Sequence, residues 1–244
     1  MGAGAKTRVV KAAAVRRAEL IDVAQGLFLT RGYERTTIND VINATGVSKG
    51  AFYHHFRAKE DLLEAIAERF SRESLGFTGR LQADPDLDAL GKLNLMLAVG
   101  RDWKLEHLAE LKAMFTTLLK PENAVLYHRI VEAVTAVLAP ELAAIVAQGQ
   151  AQGLFAPGDP QITAETMLAG SYSRRAVVVA ALSLAETDPD AATRMIVKRV
   201  GAEEALFNRI LGLADGGVDL MGSEAAMRQM LVAWNAGGGR PPAP

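Results

Sequence analysis

The side chains best suited to chemistry stand close together. Residues 46–56 read GVSKGAFYHHF, with Lys49, Tyr53, His54 and His55 inside one short stretch. Lys49 and His54 can donate to acceptors on base edges, the Tyr53 hydroxyl can donate to a phosphate, and a small Gly50 lets backbone approach a groove floor. Any one of these groups alone is ordinarily just solvated; their joint position makes a reading surface for a polyanion. Catalysis is not expected, because the chain carries no Gly-x-Ser-x-Gly, no His-Glu-x-x-His and no phosphate-binding glycine loop. It has no cysteine, and His107 and His128 lack a metal-ligand spacing, so no metal or cofactor is expected.

Such groups act together only if a helix points them one way. At about 100° per residue, Phe52 and Phe56 lie about 40° apart and face a core. Measured from Phe52, Lys49 sits at about 60°, Tyr53 at 100°, Gly50 at 160° and His54 at 200°, whereas His55 at about −60° turns back toward the core. Upstream, Thr37 is an expected N-cap with Asp40 three residues on, close to a capping box. Ile38, Val41 and Ile42 form that helix's buried side, Gly46 closes it, and Ser48 caps the helix that bears the rings. Earlier still, Leu20, Ile21, Ala24, Leu27 and Phe28 fall at helical spacing, and Gly32 supplies a left-handed stop with Tyr33 folding back. Gly26 inside that helix is unfavourable by about 1 kcal/mol relative to Ala. Two short helices joined by a glycine-containing turn outline a helix-turn-helix.

Charge supports a basic head on an acidic body. Residues 1–60 hold ten Lys and Arg against five Asp and Glu, and the remainder holds 17 against 23, within a net charge of −1. No apolar h-region follows the basic N-terminus, so a secretory signal is not expected. The run from Ala176 to Ala185 is about half the roughly 20 residues needed to span a bilayer, which points to a cytoplasmic protein without a membrane partner.

The segment RRAELIDVAQGLFLTRGYERTTINDVINATGVSKGAFYHHFRAKEDLL resembles the tetracycline-repressor (TetR) family of bacterial transcription regulators. The resemblance rests on an Arg before an Ile/Leu pair, an Ala and a Phe in the first helix, Gly-Tyr, Thr-Thr-Ile, Gly-Val-Ser, Tyr-x-His-Phe and Lys-Glu-x-Leu. It implies an all-α protein, with an N-terminal helix-turn-helix three-helix head and a larger C-terminal helical ligand-binding and dimerisation domain. It implies a homodimer whose heads enter successive major grooves of a palindromic double-stranded operator, released by a small-molecule effector. By resemblance, Thr37, Tyr53 and Lys59 hold phosphates, while Ser48, Lys49, Gly50, Ala51 and His54 face bases or the groove, and His55 packs. A repressor is the leading reading; an activator and an architectural DNA-binding dimer are the alternatives.

The expected organisation is a disordered basic arm at 1–14, a DNA-binding domain at 15–60, a helical effector-binding and dimerisation domain at 61–236, and a disordered tail at 237–244. An ordinary frayed terminus is the plainer reading of the arm. In the body, helices are expected from Lys59 to about Phe77 and near 86–119, 122–138 and 140–153, with Pro121 and Pro140 as breaks, then at about 161–184, 188–212 and 224–234. Asp84, Asp86 and Asp88 fit a helix start better than a Ca²⁺ loop, since the rest of an EF-hand is missing. QGQAQGLF resembles a junction of the same family. AVVVAALSLA suits either a dimer interface or intrachain core. Met96, Trp103, His107, Met114, Phe115, Tyr127 and His128 are candidates for lining an effector cavity, against core packing as the plainer alternative.

Overall fold

A computed structural model describes residues 3–76, 84–156 and 158–236, and among them every regular element is helical. The helices are α1 (Ala3–Arg31), α2 (Ile38–Thr45), α3 (Lys49–His55), α4 (Lys59–Ser74), α5 (Ala89–Glu106), α6 (Leu108–Leu118), α7 (Ala124–Ala151), α8 (Pro160–Tyr172), α9 (Arg175–Leu184), α10 (Pro189–Leu211) and α11 (Glu224–Asn235). The all-α expectation holds. The expected tail, 237–244, lies outside the described residues. The chain forms two compact units, one of residues 1–69 with 113–130, the other of 70–112 with 131–244.

The first unit is built on α1. Leu20, Ile21, Ala24 and Phe28 are buried along one stripe, as their spacing predicts. Gly32 ends the helix at φ 83°, and Tyr33 turns its ring edge-on to Phe28 at 5.0 Å. The buried Thr36 hydroxyl donates to the Gly32 carbonyl at 2.9 Å and ties the turn to the helix end. Val41 of α2, Phe52 and Phe56 around α3, and Leu62, Leu63 and Ile66 of α4 complete the core. Arg69 of α4 reaches back to Asp22 and Gln25 of α1.

Two features differ from expectation. The segment read as a disordered arm is helical from Ala3 onward, since it is rich in Ala, Lys and Arg and holds no proline to stop a helix that continues into α1. The unit also takes in residues 113–130, beyond the expected head. Arg129 accounts for this attachment, pairing with Asp61 at 2.9 Å and Glu64 at 2.6 Å, and Lys120 pairs with Glu34 at 3.3 Å. Burial alone would raise the Asp61 pKa, but hydrogen bonds from Arg129 and from the Arg57 and Ala58 amides hold it below its ordinary value.

In the second unit one core gathers Leu93 of α5, Leu142, Ile145 and Val146 of α7, Phe155, Met167 of α8, and Phe207 and Leu211 of α10. Another gathers Ala181 and Ala185 around α9, Ile196 and Val200 of α10 and Leu231 of α11, so the AVVVAALSLA run contributes to intrachain core. Pro140 does not break the chain: α7 runs 28 residues through it. The ring lies on an exposed face, while burial of Ala139, Leu142, Ile145 and Val146 offsets the roughly 3 kcal/mol that an interior proline costs. Pro121–Ala151 holds an 18-residue window with a mean hydropathy of 1.9, and the helix is long and apolar enough to cross a membrane by length and composition. Scattered charges hide this in the sequence, and its Arg129 is held by two carboxylates of α4.

Two expected long helices are instead broken. His107 ends α5, its ring stacked on Trp103 at 4.2 Å and its Nδ1 2.9 Å from the Trp103 carbonyl. Between α8 and α9, Ser173 Oγ donates to the Gly170 carbonyl at 2.7 Å and Arg174 Nε to that of Ser171 at 2.9 Å, side chains competing for helix acceptors. QGQAQGLF also gains a physical account. The amides of Leu154 and Phe155 both donate to the Gly149 carbonyl, at 2.9 and 3.1 Å, folding the Phe155 ring against a helix surface that only glycine leaves bare. Gln148 and Gln152 accept from Lys92 Nζ and the Ala89 amide, and Asp88 caps α5 through the Gly91 amide at 2.7 Å.

Candidate nucleic-acid interface

The helix-turn-helix geometry arises locally. Thr37 and Asp40 close a full capping box: the Asp40 amide donates to Thr37 Oγ1 at 3.1 Å, and the Asp40 carboxylate accepts the Thr37 amide at 2.8 Å and its hydroxyl at 2.6 Å. Those bonds lower the Asp40 pKa, with the Thr37 hydroxyl as the largest cause and Arg31, 3.6 Å away, adding to it. Gly46, at φ 68°, ends α2 with its amide on the Ile42 carbonyl at 2.9 Å. Ser48 starts α3 by accepting the Ala51 amide at 3.1 Å.

This start fixes the rotation of α3. Phe52 and Phe56 are buried with ring centroids 6.1 Å apart, while Lys49, Gly50, Tyr53 and His54 are exposed and Ala51 and His55 are half-buried. The Tyr53 ring stands edge-on to Phe52 at 5.4 Å, leaving 45% of the residue open to solvent. Arg17 places its guanidinium 5.1 Å over the Phe56 ring and so joins the end of α3 to α1. Burial, then His54, Arg17 and Arg16, push the His55 pKa below its ordinary value.

Three polar side chains on this surface are already engaged. The Thr37 hydroxyl donates within the capping box, the Ser48 oxygen caps α3, and Lys59 Nζ donates to the Tyr33 carbonyl at 2.9 Å while lying 4.1 Å over the Tyr33 ring. Lys49 makes no such contact and stands free at the start of α3. Sequence reasoning paired Thr37 with Asp40, as the capping box shows, but passed over Arg17 as a neighbour of Phe56, for which the Arg16–Arg17 pair was the available signal.

The effector candidates divide between the two units. Met96, Trp103 and His107 lie in the second, where Phe70 meets Trp103 edge-on at 5.4 Å, and Met114, Phe115, Tyr127 and His128 lie in the first. Met114 is buried, with the plain role of core packing. A cleft of about 430 Å³ lined by Arg72, Leu75, Ala136, Val137, Pro140 and Glu141 includes none of the seven.

Comparison with known proteins follows the same division. The sequence pattern of bacterial regulatory proteins of the tetR family matches residues 20–66. The chain is 34% identical over 102 residues to the HTH-type transcriptional repressor KstR2 of Rhodococcus jostii, a match covering 42% of this chain and about two-fifths, 41%, of that repressor's length. It is 35% identical over 127 residues to the HTH-type transcriptional repressor Rv1474c of Mycobacterium tuberculosis, covering 45% of this chain and 67% of the relative. In fold it is similar to Thermus thermophilus FadR, a TetR-family transcriptional repressor in complex with lauroyl-CoA, with a TM-score of 0.54 at 19% identity over 93% of this chain and 98% of that one.

Proposed function

Because the chain belongs to the tetR family of bacterial regulatory proteins, we propose that it is a ligand-responsive repressor that binds a palindromic operator as a homodimer and is released by a small molecule. The observation that carries this reading is the exposed stripe of Lys49, Gly50, Tyr53 and His54 on a helix whose opposite side is anchored by Phe52 and Phe56. A short helix held at its start by Ser48 is suited to enter a major groove N-terminus first. Thr37, Ser48, Ala51 and Lys59 flank the stripe as further groove and phosphate contacts. Repression is supported by the repressor relatives. A small-molecule site in the body is supported by the FadR likeness. The apolar side chains left open on α8 and α10, Ile162 and Leu206, suit a second copy of the chain. A regulator of this kind works in the cytoplasm, where its operator lies.

Fluorescence anisotropy of the purified protein against its own upstream DNA and a scrambled control, at several salt concentrations, tests the reading. The Tyr53→Phe, Lys49→Ala double variant removes one phosphate donor and one free cation. A loss of about 2 kcal/mol, roughly 30-fold in affinity, is expected for the upstream DNA. Equal, weak and salt-sensitive binding of the wild type to both DNAs, repeated with genome-selected fragments, would refute it.

A further inference from the structure

Helix α1 is longer than the core of its unit requires. The stripe that meets the core opens at Leu20, and residues 14–19 before it are exposed. That stretch is more than one full turn, so no face of the helix is covered there. Upstream the helix continues to Ala3, and at about 1.5 Å per residue some 25 Å of it precedes Leu20. A helix held by no apolar face and carried this far from the core needs another reason to be there.

Its charge is of one sign. Lys6, Arg8, Lys11, Arg16 and Arg17 all come before the first acid, Glu19. Arg16 pairs with Glu19 at 2.9 Å, and Arg17 lies 5.1 Å over the ring of Phe56. For Lys6, Arg8 and Lys11 no Asp or Glu stands three or four positions away, the spacing at which a helix pairs its own charges, and Arg8 and Lys11 stand at that spacing from each other. The Arg17 contact also fixes where this stretch begins. Phe56 closes α3, so α1 leaves the unit beside the end of α3 at which His54 is exposed. The reading stripe and the projecting cationic helix thus share one corner of the same unit, while residues 61–244 carry more acids than bases.

We propose that the stretch of α1 before Arg16 is a second DNA-contacting element, in which Lys6, Arg8 and Lys11 meet backbone phosphates beside the groove that α3 enters. The proposal rests on the regulator reading above for the presence of α3 in a groove, while the projection and charge of α1 stand on these residues alone. A duplex presents one negative charge per about 1.7 Å of its axis, so a helix of this length passes several. Phosphates carry no sequence, so the contact strengthens binding to operator and other DNA alike and leaves the choice between them to α3.

Fluorescence anisotropy of the full chain on its own upstream duplex and on a scrambled one, between about 50 and 200 mM salt, tests this. Three proteins are compared: wild type, a neutral Lys6→Gln, Arg8→Gln, Lys11→Gln variant, and a charge-keeping Lys6→Arg, Arg8→Lys, Lys11→Arg variant. Each phosphate met by a cation contributes about 0.9 to the slope of log affinity against log salt, so the neutral variant should be shallower by about 2–3 for each protomer bound, on both duplexes. The charge-keeping variant should keep the wild-type slope. Deletion of residues 2–11 should reproduce the shallower slope, and thermal unfolding of the neutral variant should match wild type, because these positions precede the core. A slope that the neutral variant leaves unchanged, or that the charge-keeping variant lowers as much, overturns the proposal. Preference of the wild type for upstream DNA with an unchanged slope in the neutral variant removes the second element and leaves the regulator. A shallower slope on both duplexes, with no preference for upstream or genome-selected DNA, keeps the element and removes the operator reading.

Discussion

Gly149→Ala is expected to damage the body of the protein although alanine is the better helix former. A methyl group at 149 would stand 2.5 Å from Cε2 and 2.6 Å from Cγ of the Phe155 ring, where carbon atoms pack best at about 3.5–4.0 Å. Two responses bound the cost. If the ring stays, overpacking costs about 1–3 kcal/mol; if it is driven out of the core, lost burial costs about 1.5–3 kcal/mol. Improved helix propensity returns at most about 1 kcal/mol. The net is a loss of about 1–2 kcal/mol, and each kcal/mol lowers Tm by about 2–4 °C in a chain of this size. Urea and thermal unfolding of Gly149→Ala, Phe155→Ala and the double variant form the assay. With the ring gone the three atoms nearest the new methyl are removed, so Gly149→Ala should become neutral or stabilising in the Phe155→Ala background, a coupling of about 1 kcal/mol or more. Equal costs in both backgrounds would mean that the ring does not forbid a side chain at 149.

Gly26→Ala should do the opposite, because a Cβ there meets nothing within 4 Å. A gain of up to about 1 kcal/mol in unfolding free energy with unchanged operator affinity is expected, and a loss of stability would contradict the open surface. For His55 the folded pKa is depressed, so the native state binds fewer protons than the unfolded one, and stability is lost as pH falls below the unfolded value of about 6.5. His55→Gln should therefore flatten the fall in Tm between pH 7.5 and 5.5, and an unaltered slope would remove His55 as its source. Glu203→Ala leaves the Arg174 and Arg199 guanidiniums around an empty buried site and should cost about 3–5 kcal/mol by urea denaturation. A cost under about 1 kcal/mol would show that solvent takes over the role of the carboxylate.

The head was legible because its determinants are local. A capping box spans three residues, a left-handed turn needs one glycine, and the rotation of α3 follows from the spacing of Phe52 and Phe56. Where the body departed from expectation, the deciding contacts were distant in sequence or hidden in residues that suit more than one structure. Pro140 signals a break, but it occupies an outward position on a helix whose other side is core. Nothing about His107 alone says that it will stack on Trp103 and end α5, and the joint after Tyr172 depends on Ser173 and Arg174 taking helix carbonyls.

The same local order that makes the head legible shapes how it can meet DNA. The hydroxyl of Thr37 and the ammonium of Lys59, two of the groups that the family resemblance assigns to phosphates, are satisfied before any phosphate arrives. Turning either toward DNA exchanges one hydrogen bond for another, so the net gain is far below the gross strength of the new contact. Lys49 has no such exchange to make, and its contact with a phosphate or a guanine edge would carry its full charge-assisted value. The engaged groups instead hold α2 and the start of α4 in one arrangement, so on the proposed reading α3 would meet a groove with its ordering cost already met in folding. On the proposed reading, affinity would rest on the exposed cations and on Tyr53, and the capping contacts would act on DNA binding through the geometry they preserve.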